Sequence, residues 1–123
     1  ALDKIRNHFG VNRVAQAGAL ASLKDDEFIR GVVRQVEEGK REYAALAAAL
    51  GLGTVPSATN FIVLNLGDGN RARGLLQALL QRDVFVRVPG VAPLDRCIRL
   101  TVGPAEERAA FAAVLRDVLP EID

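Results

Sequence analysis

The chain has 123 residues, the length of one compact domain, half of them apolar, with a formal net charge of +1. So small a charge gives no electrostatic footprint for nucleic acid or an anionic membrane surface, and no apolar run approaches the roughly 18–20 residues that span a bilayer. One cysteine, Cys97, and one histidine, His8, exclude an internal disulfide and leave no metal-ligand cluster.

The lone thiol fits a reducing, cytoplasmic compartment, and no signal-peptide pattern opens the chain. Methionine is absent, which fits either removal of an initiator before Ala1 or a segment of a longer polypeptide.

Residues 12–23, NRVAQAGALASL, are rich in Ala and Leu and predict a helix, with Asn12 placed as its N-cap. Small residues almost all round it predict close packing on several sides. Taken alone, residues 1–24 are unusually apolar and predict an exposed patch prone to self-association. Residues 26–50 predict a long helix. Ile29, Val32, Val33, Val36, Tyr43, Leu46, Ala47 and Leu50 recur at helical spacing, and Asp25, Asp26 and Glu27 suit its positive end. Gly31 and Gly39 each weaken its interior by about 1 kcal/mol relative to Ala.

Pro56 and Ser57 punctuate the chain before a buried-type strand over 61–66. An amphipathic helix follows over 70–82, led by a Gly67-Asp68-Gly69 turn that is too short for a phosphate loop and lacks its Lys-Ser/Thr. Strands are expected at 84–88 and 97–102, around a loop with two prolines. Pro104, Glu106 and Glu107 open a last helix, in which Phe111, Val114, Leu115 and Val118 face inward and which Pro120 stops. Three short strands with helices on one face make an α+β two-layer sandwich.

The arginines carry the chemistry. Alternation on 97–102 places Cys97, Arg99 and Thr101 on one face and Ile98, Leu100 and Val102 under the helices. Arg87 ends the preceding apolar run, and whether it shares the face of Arg99 depends on register. The plain reading is two arginines paired with carboxylates. The sharper one is an anion clamp, because the planar guanidinium fork suits carboxylate or phosphate. Cys97 has no histidine to activate it, and Ser57 has no base.

Three blocks in order, "PSATNF", "VFVRVPG" and "IRLTVGPAEE", with "VNRVAQAGALASL" ahead of them, resemble the C-terminal part of pyridoxal-phosphate-dependent class I/II aminotransferases of the histidinol-phosphate aminotransferase-like branch. The resemblance runs over essentially the whole chain. It implies that residues 1–24 end a large cofactor domain and that residues 25–123 form the small α+β domain. It assigns Arg99 to the anionic group of the substrate, with Arg87 near the same pocket, and places Asn12 and His8 toward the site mouth and subunit interface.

It also implies a cytoplasmic homodimer acting on an amino donor and a 2-oxo acid. The family's Schiff-base lysine and its pyridoxal phosphate cradle lie upstream of the matching blocks. Lys4, Lys24 and Lys40 do not match that lysine, so this chain alone is expected to be inactive. Two rivals remain at this stage, a non-catalytic binding or assembly module and an amino acid phosphate decarboxylase of the same family.

Overall fold

The computed structural model describes residues 10–122, so His8 lies outside the described residues. These fall into two compact units, one ending at Val33 and the other beginning at Arg34.

In the first unit, helix α1 spans Arg13–Leu23, and the side-chain oxygen of Asn12 accepts from the backbone N–H of Ala15 at 2.8 Å. That is the expected N-cap. The expected close packing is not found. No residue of α1 is buried, and Val14 and Leu23 are 83% and 80% exposed. Helix α2 spans Asp26–Ala49, with Asp25 accepting from the Phe28 N–H at 3.0 Å at its start. Its periodic apolar positions divide along the helix. Ile29, Val32 and Val33 are exposed, whereas Tyr43, Leu46 and Ala47 are buried. Helical spacing identifies an apolar stripe but not what covers it.

The second unit is built on a three-stranded antiparallel sheet in the order β1-β2-β3, with β1 at Gly53–Val55, β2 at Phe61–Asn65 and β3 at Cys97–Thr101. The α+β layering expected from the sequence is present, but its strands need one correction. Residues 84–88 form no strand. Only Arg87 bridges to the sheet, through Arg99, while the third strand is the short edge β1.

Helix α3, Gly69–Leu80, is capped by Asp68, which accepts from the N–H groups of Asn70 and Arg71. Those bonds hold the Asp68 carboxyl below its ordinary 3.8. Helix α4 covers Ala105–Val118, with Pro104 just before it, and runs into a short 3₁₀ turn over Leu119–Glu121.

One cluster forms the core. Ile62, Leu64, Ile98 and Leu100 from the covered face of the sheet meet Leu75 and Leu79 of α3 and Phe111, Leu115 and Val118 of α4. From α2, Tyr43 sets its ring edge-on to Phe111 at 5.4 Å. Val114 packs only partly against this core.

Gly39 is a buried point of close approach. A Cβ there would lie 2.7 Å from Arg108 Cδ and would press into Val102 Cγ1. Arg108 itself is only 5% exposed. Its Nε and Nη2 donate to the two carboxylate oxygens of Glu42 at 2.7 and 3.0 Å, and its Nη1 donates to the Gly103 carbonyl at 2.9 Å. Hydrogen bonding from Arg108 holds the Glu42 carboxyl below its ordinary 4.5.

Candidate functional site

The face of the sheet away from the helices carries the two arginines singled out above. In the β2–β3 register, Val63 stands opposite Arg99 and Phe61 opposite Thr101. On the other side of β3, Arg87 and Arg99 exchange both peptide hydrogen bonds. Arg87 N–H donates to Arg99 O at 3.0 Å, and Arg99 N–H donates to Arg87 O at 2.6 Å. Residues paired in this way project to the same side of a sheet. The register that the sequence left open therefore sets both side chains on one face. Val86, buried, and Val88, half-buried, alternate to the opposite side of Arg87.

Arg99 is half-buried and Arg87 is exposed. The Arg99 guanidinium lies over the Phe61 ring, with Cζ 4.4 Å from the ring centroid. The Phe61 N–H donates to Thr59 Oγ1 at 3.2 Å, and the Asn60 carbonyl accepts from the Val102 N–H at 2.8 Å. These bonds anchor the end of the PSATNF block beside β3. Among the described residues, no carboxylate forms an ion pair with Arg87 or Arg99. Arg108, which the sequence reading did not single out, is by contrast buried and consumed by its pair with Glu42.

Asn12 belongs to the first unit, where its carboxamide caps α1. Cys97 is buried, and burial pushes its thiol above the ordinary 9.0, so it is a packed side chain and not an activated nucleophile. Among the described residues there is no metal-binding cluster and no helix long and apolar enough to cross a membrane. Lys40 is occupied by Glu37 at 2.6 Å and the Ser57 carbonyl at 2.9 Å, and Lys24 is the C-cap residue of α1. A groove of about 580 Å³ lies elsewhere in the second unit, against Glu42, Leu46, Ala105 and Arg108.

Phe61 is the residue of this site that sequence reasoning missed. It reads as the first residue of an apolar strand. Only the pairing of β2 with β3 reveals that its ring lies beneath a guanidinium.

The family model described as "Aminotransferase class I and II" matches residues 1–115. The chain belongs to this family. It is 40% identical over 120 residues to a histidinol-phosphate aminotransferase of Roseiflexus castenholzii, covering 95% of this chain and 32% of that one. It is also 40% identical over 126 residues to histidinol-phosphate aminotransferase 2 of Ralstonia nicotianae, covering 99% and 33%. Among solved structures, histidinol-phosphate aminotransferase from Sinorhizobium meliloti in complex with pyridoxal-5'-phosphate superposes with a TM-score of 0.92 at 38% identity, covering 99% of this chain and 34% of that one. The chain thus spans about a third of the length of the relatives it matches.

Proposed function

We propose that this chain is the C-terminal segment of a histidinol-phosphate aminotransferase-like enzyme, and that Arg99, with Arg87 beside it, holds the anionic group of the substrate. On this reading residues 1–24 belong with the large domain, and residues 25–123 are the small domain of a homodimeric enzyme that moves an amino group from a small-molecule donor to a 2-oxo acid. The observation that carries it is the reciprocal backbone pairing of the two arginines on one face of the sheet, without a carboxylate partner among the described residues. An oxyanion is the complement such a pair lacks.

The described residues do not fit the cofactor. Lys40 is already bonded, and Lys24 closes a helix. Pyridoxal phosphate, held by the rest of such an enzyme, supplies the electron sink for transamination. What this segment contributes is binding and orientation. A fork aimed at the distal anion fixes one end of the substrate, and fixing it sets the direction of the bond that must break at the other end. Charge-assisted hydrogen bonds of this kind contribute about 1.5–3 kcal/mol each.

The test is made in the full-length, cofactor-loaded enzyme that carries this segment. An absorbance change of the cofactor on adding histidinol phosphate reports the donor half-reaction. Arg99→Lys, which keeps the charge and loses the fork, is expected to raise KM for the donor about 10- to 100-fold. A KM unchanged by Arg99→Lys would overturn the assignment.

A further inference from the structure

We infer that Phe61 is a positioning residue for Arg99, a role that rests on the anion-binding reading above and goes beyond it. The side chain of an arginine on the outer face of a sheet is long, and nothing in the strand itself fixes the azimuth of its guanidinium. Among the described residues, Arg99 has no carboxylate to hold it. What it has is the face of Phe61, 4.4 Å from Cζ. The negative face of the ring attracts the cation and constrains the guanidinium plane. The ring engages the guanidinium through Cζ, and among the described residues the guanidinium N–H groups, the ones that grip an oxyanion, have no side-chain hydrogen-bond acceptor.

Two further observations separate this role from ordinary packing. Phe61 is absent from the hydrophobic core and from the partly buried side chains packed on it. Its ring is therefore not needed to fill the interior. Its place is also fixed from three sides: by pairing with Thr101 across the ladder, by the Thr59 hydroxyl on its own N–H, and by the neighbouring Asn60–Val102 bond. In the ladder Phe61 is the diagonal neighbour of Arg99, a spacing that aromatic side chains span. The main chain that carries the ring is thus tied on several sides, and the longer, more rotatable side chain in the contact is the arginine's.

The experiment uses the full-length, cofactor-loaded enzyme, four single variants at two positions and one double variant. Phe61→Leu removes the π face and keeps apolar bulk, Phe61→Met does the same with nearly the original length, and Phe61→Tyr keeps the ring. Arg99→Gln removes the cation. Phe61→Leu and Phe61→Met are expected to raise KM for the anionic donor about tenfold with little change in kcat, and Phe61→Tyr is expected to restore the wild-type value.

In the Arg99→Gln background, Phe61→Leu is expected to add nothing, because the group it positions is gone. A crystal structure of the Phe61→Leu enzyme is expected to show the Arg99 guanidinium displaced from its wild-type position. If Arg99→Gln raises KM but both ring-free variants leave it unchanged, the positioning role is overturned and the anion site stands. The same conclusion holds if Phe61→Leu costs as much with Arg99→Gln as without it. If Arg99→Gln itself leaves KM unchanged, the anion-binding reading falls first.

Discussion

Gly39→Ala reverses the sign expected from helix propensity. In a helix interior, alanine is favoured over glycine by about 1 kcal/mol, so the substitution in α2 ought to stabilise the fold. The neighbours of Gly39 oppose this. The new methyl would stand 2.7 Å from Arg108 Cδ and 3.1 Å from Arg108 Nε and would also press on Val102 Cγ1. Neither neighbour can yield cheaply. Val102 is buried, and Arg108 is tied by three hydrogen bonds to Glu42 and Gly103.

Overpacking of a filled interior costs about 1–3 kcal/mol, and two immovable neighbours place this site in the upper half of that range. After the propensity gain, the net loss is about 1–2 kcal/mol, or a fall in Tm of roughly 5–10 °C for a unit of this size. Thermal unfolding followed by far-ultraviolet circular dichroism measures it. Gly18→Ala in α1, with no atom within 4 Å of the added methyl, is the comparison and is expected to raise helix content. A Gly39→Ala chain that melts at or above the wild-type temperature would refute the close-approach argument.

The remaining predictions concern titration and packing. Tyr43 is the only tyrosine, so absorbance at the phenolate wavelength reports it alone. Burial pushes its pKa from 10.0 up to about 12. The unfolded state ionises first, so stability is lost as pH rises from 10 toward 12, and a phenolate midpoint near 10 in the folded chain would contradict the burial. At the acid end, Glu42 and Asp68 both ionise below their ordinary 4.5 and 3.8. Their contribution is complete above those values and is lost as pH falls through the lowered native ones. Urea midpoints are expected to decline there, and Asp68→Asn to flatten part of the slope. Leu64, fully buried between sheet and helices, is expected to cost about 2–5 kcal/mol on change to Ala, read from the same urea transitions.

Much of the architecture is legible in the residues because periodicity reports burial. Leu75 and Leu79 of α3, Phe111, Leu115 and Val118 of α4, and the alternation of Ile98 and Leu100 against Arg99 all stand where spacing puts them. The failures have specific causes. Strand β1 is three residues long with every one exposed, so it carries no alternation to read. The valines of 84–88 imitate a strand, yet Val86 is buried by the core, and only Arg87 reaches a ladder partner.

Ile29, Val32 and Val33 continue the stripe of α2 at correct spacing but remain exposed, because spacing does not encode a cover. At the candidate site, Arg99 and its outward direction follow from the sequence. Its proximity to Arg87 and the ring of Phe61 depend on register, which is a property of pairs of segments and not of either alone. Nothing in the spacing marks Arg108, and only the packing of α2 against it reveals a part-buried ion pair with Glu42.

The link between Arg87 and Arg99 is a single pair of peptide hydrogen bonds, not a ladder, and the chain between the two residues runs free of strand structure until the short turn at Leu94–Arg96. The distance between the two cationic side chains is therefore anchored at one point of main chain. Changes in residues 89–93 are therefore expected to alter that distance less than changes at the bridge itself. On the proposed anion-binding reading, a scaffold built this way would keep a constant gauge for the charged end of a small molecule while the neighbouring rim diversifies. For anyone re-engineering selectivity, the rim is the place to vary sequence and the bridge is the place to leave alone.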